Sequence, residues 1–153
     1  MNAFQLLKED HQKVDSIFQQ LEPTTERAEK TRQELFARLR MELDIHTQIE
    51  EKIFYPSIKQ AAETREITLE GYEEHHVIKT ILEEMQGLDV TDEQWTAKLK
   101  VLKENVEHHV EEEEEEMFQK ARNVLTEEEI TQLGEQMMEM KKTLQEQARS
   151  AGA

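Results

Sequence analysis

Four histidines stand where a helical bundle needs apolar side chains: His11, His46, His75 and His109. Each continues a stripe of apolar residues spaced three and four apart, the spacing of the face that a helix buries against its neighbours. His11, for example, lies between Leu7 and Val14 on such a stripe. The second and fourth histidines are each followed four residues later by a glutamate on the same face, Glu50 and Glu113.

These positions form an internal repeat. The pair Asp10-His11 returns 64 residues later as Glu74-His75. The His-x-x-x-Glu pattern of residues 46–50 returns 63 residues later at 109–113. Each half of the chain therefore offers an acid–histidine pair and then a histidine–glutamate pair, which predicts a symmetric pair of sites.

The composition predicts an all-α fold, because only 4 glycines and 2 prolines interrupt a chain rich in Glu, Gln, Lys, Leu and Met. We predict helices over about 3–21, 25–64, 68–86 and 91–123, and a fifth over about 127–149. Short connections make successive helices antiparallel neighbours. The expected architecture is an up-down-up-down antiparallel four-helix bundle over about 3–123 with an additional C-terminal helix, in one domain spanning 1–153.

Local signals set the ends of these helices. Pro23 cannot continue the first helix, and Pro56 should kink the second or end its regular part near Phe54 and Tyr55. The remaining boundary predictions are capping boxes at 91–94 and 126–129, a C-cap at Gly87 and a frayed tail over 150–153.

Six ionisable side chains directed into one core need compensation, because buried charges and unpaired imidazoles are costly. A hydrogen-bonded network, ion pairs or metal could supply it, and the repeated pattern favours metal. Imidazole and carboxylate without thiolate suit iron, manganese or zinc. Six ligands are too many for one tetrahedral zinc. They suit two ions that share both carboxylates and a solvent-derived oxo or hydroxo bridge, each with one open position for dioxygen, peroxide or nitric oxide.

Charge and composition exclude several other classes of protein. The net charge of −16 should repel nucleic acid and anionic membrane surfaces. No apolar stretch approaches the roughly 20 residues of a membrane span, and the first residues do not resemble a signal peptide. With no cysteine, the chain is compatible with a reducing compartment. We therefore predict a cytoplasmic protein, with its oligomeric state open.

The ordered set of motifs resembles the hemerythrin-like, or HHE cation-binding, family. The matching motifs are Asp10-His11, His46 to Glu50 with Phe54-Tyr55-Pro56, Glu74-His75, and His109 to Glu113 with Met117-Phe118. The resemblance implies a four-helix bundle that holds a non-heme di-iron centre. The ligands it implies are His11 and His46 for one iron, His75 and His109 for the other, and Glu50 and Glu113 as bridges.

This sequence departs from the family's pattern at two positions, of which the first bears on function and the second only on a helix end. Lys79 occupies the position where dioxygen carriers of this family have a second histidine, and Gln119 replaces a usual proline at the helix end. The expected function is binding or sensing of dioxygen, peroxide or nitric oxide, with breakdown of peroxide as the expected reaction if the protein is an enzyme. The alternative is iron storage or metal buffering without catalysis, and zinc or manganese could replace iron.

Other residues near these positions have simpler interpretations. His76 and His108 should point to solvent, about 100° away from their neighbours in the site. Glu116 matches Ile53 of the stripe in the other half, so it either faces inward or lies beyond the core. Tyr55 and Tyr72 either hydrogen-bond groups around the site or a bound ligand, or pack as ordinary amphipathic residues, and packing is favoured. Packing is also the predicted role of Trp95 and of the C-terminal stripe Ile130, Leu133, Met137, Met140 and Leu144.

Overall fold

The helices of the computed structural model, which describes residues 1–152, confirm the all-α prediction. In chain order they are α1 (Ala3–Leu21), α2 (Glu29–Ile49), α3 (Tyr55–Ile58), α4 (Ala62–Gln86), α5 (Glu93–Glu112), α6 (Phe118–Val124) and α7 (Glu127–Gly152). Two π-helical turns, π1 (Glu50–Phe54) and π2 (Glu113–Met117), join α2 to α3 and α5 to α6. The runs α2–π1–α3 and α5–π2–α6 are therefore the second and fourth long helices of the bundle.

The predicted bundle is present. α1 packs against α2, and α4 packs against α5, so each half of the chain forms a helix pair. The additional C-terminal helix, α7, packs on α1 and α2. This arrangement leaves the outer faces of α4 and α5 without a covering helix.

Two apolar clusters fill the bundle, one at each end. The first includes Phe18, Leu39, Leu82, Trp95 and Leu102. The second includes Phe4, Ile49, Phe54, Phe118 and Met137. On each long helix the predicted ligands lie between the residues of these clusters, so they form a polar layer enclosed by apolar packing. No helix in the described part of the chain is long and apolar enough to cross a membrane.

The two π turns occupy repeat-related positions, and each begins at a predicted ligand glutamate. In π1 the carbonyl of Glu50 accepts from the N–H of Tyr55, five residues on. The wider turn holds one more residue than an α-turn. The next residue that faces the core is therefore the fourth after Glu50 or Glu113, and not the third. Phe54 and Met117 are consequently buried, whereas Glu116 is exposed and Ile53 is only partly buried.

The second and third helices meet earlier than the sequence predicted. α3 ends at Ile58, residues 59–61 form the turn, and α4 begins at Ala62, not at 68. The hydroxyl of Thr64 donates to the carbonyl of Ile58 and stabilises this turn. Pro56 lies where the π turn passes into α3, and the carbonyl of Glu51, five residues before it, accepts from the hydroxyl of Tyr72 at 3.4 Å. The second helix also starts later than predicted, at Glu29.

The capping predictions have mixed outcomes. The box of the fifth helix is confirmed, because Glu129 N–H donates to Thr126 Oγ1 at 3.1 Å and Thr126 N–H donates to Glu129 Oε1 at 2.9 Å. Gly87 is the C-cap of α4, as predicted. The box at 91–94 is wrong: Asp92 is the N-cap of α5, and its side chain accepts from the N–H of Gln94.

The last helix packs as predicted but is longer. Ile130 and Met137 are buried against the bundle, which confirms packing as the role of the apolar stripe. The tail predicted to fray is helical from 150 to 152, and Ala153 lies outside the described residues. Lys141 lies on the same face as Met137 and is 5% exposed, which the sequence analysis did not anticipate.

A buried arginine, Arg32, forms hydrogen bonds with the α1–α2 and α4–α5 loops, at the end of the bundle farthest from α3. The guanidinium of Arg32 donates to the carbonyls of Thr24 and Val90 and to the hydroxyl of Thr96. The central carbon of this guanidinium, Cζ, lies 4.9 Å from the ring centroid of Trp95. Trp95 is fully buried, which agrees with the packing role predicted for it. These bonds fix the two inter-helix loops relative to α5.

Candidate metal centre

The structure brings all six predicted ligands together in the polar layer. Each is at most 6% exposed: His11, His46, Glu50, His75, His109 and Glu113. α1 and α4 each present one histidine. The other two long helices each present a histidine and, one turn later at the start of the π turn, a glutamate.

The histidines lie in two pairs. The rings of His11 and His46 have centroids 4.9 Å apart, and those of His75 and His109 have centroids 4.8 Å apart. The Nε2 atoms of His75 and His109 approach to 3.2 Å. Two nitrogens about 2.1 Å from one ion lie roughly 3.0 to 3.4 Å apart at angles from octahedral to tetrahedral, so this spacing fits two ligands of a single ion.

Both glutamates reach across from one pair to the other. Glu50 Oε1 lies 3.0 Å from His46 Nε2 and 3.1 Å from His75 Nε2. The two oxygens of Glu113 lie 3.1 Å from His11 Nε2 and 3.3 Å from His109 Nε2. Candidate ligand atoms of Glu50 lie within 4.8 Å of those of both histidine pairs. Each carboxylate is therefore placed between the pairs, as a bridging ligand must be.

Each histidine binds a carboxylate through its outer nitrogen. The Nδ1 contacts are His11 with Glu114 at 2.6 Å, His46 with Asp10 at 3.1 Å, His75 with Glu51 at 2.8 Å and His109 with Glu74 at 2.6 Å. Asp10 and Glu74 belong to the predicted motifs but had no predicted role, and Glu51 and Glu114 were not predicted as site residues. The internal repeat could have indicated them, because Glu51 and Glu114 are separated by the repeat distance of 63 residues.

These outer contacts determine what the inner nitrogens can do. A carboxylate at Nδ1 favours the tautomer in which Nδ1–H donates and Nε2 keeps its lone pair, as in carboxylate–histidine–metal sites. Four such lone pairs then face inward with two carboxylates. The inner atoms His11 Nε2, His46 Nε2, Glu50 Oε2 and Glu113 Oε1 have no hydrogen-bond partner of good geometry. Because buried polar atoms are normally satisfied, this donor set fits bound cations.

Without metal, protons are the cations available to this layer. Burial lowers the pKa of His46, but Glu50 and Asp10 outweigh burial and raise that pKa to about 10. The pKa values of the other three histidines are also raised, burial again being outweighed by their carboxylate neighbours. Burial raises the pKa of Glu50, but the charge of His46 and hydrogen bonds outweigh it and hold that pKa well below its usual range.

Tyr55 belongs to the site, so its interpretation as a packing residue was incomplete. Its buried hydroxyl donates to Glu113 Oε2 at 2.9 Å and lies 3.3 Å from His75 Nε2. Gly71 makes this position possible, because a Cβ there would lie 2.8 Å from the tyrosine oxygen. Burial and the charge of Glu113 raise the pKa of Tyr55 well above 10, so the hydroxyl stays a donor.

The repeat equivalent of Tyr55 is Phe118, which lacks a hydroxyl. Tyr55 stacks on His75 with ring centroids 5.2 Å apart, and Phe118 stacks on His11 at 6.4 Å. The aromatic packing on the histidine rings is thus repeated, but within residues 1–152 a tyrosine hydroxyl lies only at the His75–His109 pair. The two halves of the site are geometrically similar and chemically different.

Two repeat-related clefts border the site. A cleft of about 510 Å³ between α2 and α4 is lined by His75 and Glu51 among others, and one of about 320 Å³ between α1 and α5 is lined by His11 and Glu114 among others. The larger cleft is lined by cationic as well as acidic side chains, including Lys79. The smaller one has acidic and apolar walls without lysine or arginine.

The histidines next to the ligands lie outside the site, as predicted. His76 and His108 are exposed. His108 lies 3.3 Å from Glu112 and 3.8 Å from Glu74 on the surface. Lys79, at the position where the dioxygen carriers have a second histidine, is exposed on the wall of the larger cleft.

Comparison with known proteins agrees with this geometry. The family model described as "Hemerythrin HHE cation binding domain" matches residues 2–121. The chain belongs to the hemerythrin HHE family. As a member of a family of cation-binding domains, with buried histidine–glutamate clusters that can hold metal, this HHE protein is a metal-binding protein. The match ends before α7.

Relatives extend the similarity to the whole chain. A crystal structure of a hemerythrin HHE cation-binding domain protein from Mycobacterium kansasii, a homologue of Rv2633c, superposes with a TM-score of 0.84 at 26% identity, covering 98% of this chain and 91% of that one. The uncharacterized protein Rv2633c of Mycobacterium tuberculosis is 29% identical, over 90% of this chain and 83% of its own length. A DNA nickase of a Nostoc species is 26% identical over 99% of this chain, which spans only 44% of the nickase.

The raised histidine pKa values predict opposite effects of pH with and without metal. The pKa of His46 rises from 6.5 to about 10 on folding, so its contribution to stability is complete below pH 6.5 and is lost as pH rises toward 10. Metal competes with these protons, so stabilisation by metal grows with pH. Between about pH 6.5 and 8, we expect the free energy of unfolding to fall in chelator, while the increment from added Zn²⁺ rises.

Urea denaturation at several pH values measures both quantities. His46→Gln should reduce the pH dependence in chelator, and His108→Gln, at an exposed position, should leave it unchanged. An increment from Zn²⁺ that stays constant over this pH range would contradict the competition between protons and metal.

Proposed function

We propose that this HHE protein holds two non-heme iron ions and binds or senses dioxygen or a related small oxidant, with peroxide decomposition as its expected activity. The observation that carries the proposal is the convergence of four histidine Nε2 atoms and two shared carboxylates, with every Nδ1 occupied by a carboxylate. Imidazole and carboxylate suit iron, and manganese or zinc could take its place. Iron would supply the redox chemistry.

The geometry supports a specific assignment of ligands. His11 and His46 would hold one ion, and His75 and His109 the other, because the rings form two close pairs. Glu50 and Glu113 would bridge, because each lies within 3.3 Å of a histidine of both pairs. The Nδ1 carboxylates would fix the rings and increase the electron donation of each histidine.

Features of the His75–His109 half support binding of a small molecule there. The larger cleft is lined in part by His75, so a ligand can approach this half from the surface. The hydroxyl of Tyr55 lies 3.3 Å from His75 Nε2 and can donate a hydrogen bond beside it. Exposed Lys79, in place of a further histidine, leaves room for a ligand. Apolar clusters on both sides of the layer limit access by water from the two ends of the bundle.

Peroxide is the substrate that best suits this arrangement if the protein is an enzyme. Conversion of two peroxide molecules into two waters and one dioxygen needs no external reductant. Tyr55 donates its single O–H proton to Glu113 in this structure, and by turning that proton to a peroxide oxygen it would orient the peroxide. The carboxylates around the histidines would hold the rings fixed. The alternative function is metal buffering or iron storage, which needs the same ligands and no turnover.

We propose that nucleic acid is not a partner, although a relative is a DNA nickase. The net charge of −16 opposes binding to a polyanion, and the smaller cleft carries no lysine or arginine. The Nostoc protein is more than twice as long as the matched region. If the iron-loaded protein does not cleave supercoiled plasmid, the result agrees with this proposal. If the unaltered protein nicks the plasmid and His109→Gln does not, the proposal is contradicted. The cytoplasm remains the proposed compartment.

Adjacent histidines provide a matched test of the metal centre. His109→Gln removes a buried candidate ligand, and His108→Gln changes an exposed neighbour on the same helix. We expect the iron content of His109→Gln to fall from two ions per chain to one or fewer, while His108→Gln keeps two. Elemental analysis and the near-ultraviolet absorption of the ferric protein measure this. Two irons per chain in His109→Gln would refute the ligand assignment.

A second pair of variants tests peroxide decomposition. Glu113→Ala removes a bridging carboxylate, whereas Glu116→Ala changes an exposed residue of the same acidic run that pairs with Lys120. Loss of a direct ligand should exceed the roughly 10–100-fold effect of changes outside the ligand shell. Iron-loaded Glu113→Ala should therefore consume peroxide at least about 100-fold more slowly, and Glu116→Ala should match the unaltered protein. An iron-loaded, unaltered protein that consumes no peroxide would favour the buffering alternative.

A further inference from the structure

The C-terminal helix contributes a charged residue, Lys141, to the candidate metal centre. The family motifs do not include this residue. α7 lies beyond residues 2–121, the part matched by the family model. Ile130 and Met137 bury its apolar face against the bundle. Gly134 lets it approach the N-terminal backbone closely, because a Cβ there would lie 2.5 Å from the carbonyl oxygen of Met1. The register of α7 on the bundle is therefore well determined.

Lys141 projects from this face into the protein. Its side chain is 6% exposed, and its ammonium group pairs with Asp10 Oδ1. The other oxygen of Asp10 accepts from His46 Nδ1 at 3.1 Å. Asp10 is itself 3% exposed, so Lys141, Asp10 and His46 form a continuous buried chain from α7 to a candidate metal ligand.

No other histidine of the site has such a chain. The acids that bind the remaining Nδ1 atoms are more exposed, with side chains at 40% for Glu51, 25% for Glu74 and 32% for Glu114. Within residues 1–152 none of these three pairs with a lysine or arginine. Water can solvate them. Asp10 has no comparable access to water, so Lys141 supplies the compensation that a buried carboxylate requires.

We propose that Lys141 is a positioning residue of the metal centre: it holds Asp10 against His46, and it makes metal binding by the His11–His46 pair depend on the docking of α7. The inference rests on the proposed metal-binding function. Without the ammonium group, Asp10 would turn toward water or lose its alignment, and the His46 ring would lose its outer partner. The His75–His109 pair would be affected much less, because Glu51 and Glu74 hold it.

The test is a Co²⁺ titration of metal-free protein, followed by the visible absorption of bound Co²⁺. Lys141→Met keeps the length of the side chain and removes its charge. Lys142→Met makes the same change at the exposed neighbour on α7. We expect two Co²⁺ per chain in the unaltered protein and in Lys142→Met. In Lys141→Met one Co²⁺ should bind as before, and the other about 10–100-fold more weakly. Lys141→Arg should recover part of the loss.

A double variant separates positioning from a general effect on folding. Lys141→Met with Asp10→Asn removes both buried charges, so the free energy of unfolding should recover relative to Lys141→Met alone. The weaker Co²⁺ site should stay weak, because an amide oxygen is a poorer acceptor for His46 than a carboxylate. Recovery of both stability and affinity would show a structural role only and overturn the inference.

The remaining outcomes distinguish the inference from the function on which it rests. Two equally tight Co²⁺ sites in both Lys141→Met and the unaltered protein would overturn the role of Lys141 and leave the metal centre intact. An unaltered protein that binds no Co²⁺, Zn²⁺ or Fe²⁺ would overturn the metal centre and this inference together.

Discussion

Burial of six ionisable side chains in a four-helix core is the constraint on which the rest of this structure depends. The inner layer tolerates four imidazoles and two carboxylates only because each ring donates outward to another carboxylate. That outward bond fixes which nitrogen faces the centre and leaves inner atoms suited to cations. Apolar clusters enclose the layer on the two sides that face the ends of the bundle. The contacts that make burial of the six side chains possible therefore also position the candidate metal ligands.

Helix phase and the internal repeat were sufficient to predict the fold class and to select the six residues that the structure brings together. The details that escaped prediction have physical causes. A π turn changes the inward position by one residue, so Phe54 and Met117 replaced the expected continuation of the stripe. Tyr55 looked like a packing residue because its hydroxyl contacts residues distant in sequence, and its place depends on the missing side chain of Gly71. Burial of Lys141 could have been predicted, because Lys141 lies on the apolar stripe of the last helix.

The departures from the repeat make the two halves of the site different. The His75–His109 pair has the tyrosine hydroxyl and the larger cleft, whose walls carry charges of both signs. The His11–His46 pair has Phe118 in place of tyrosine and the buried Lys141–Asp10 pair behind it. The repeated scaffold therefore presents two chemically different histidine pairs, one beside a hydroxyl donor and the larger cleft, the other beside the buried ion pair that the C-terminal helix completes.

The outer carboxylates also bear on the order in which the chain folds. Asp10 and Glu74 bind histidines of their own halves, but Glu51 binds His75 of the other half, and Glu114 binds His11 across 103 residues of sequence. A single helix pair formed early would lack the outer carboxylate of one of its two histidine rings, His11 in the first half and His75 in the second. The Glu114–His11 contact closes the largest loop of the four, so it has the highest loop-closure entropy cost. Metal capture with native coordination would therefore report complete assembly of both halves, and an intermediate with one helix pair formed would be invisible to it.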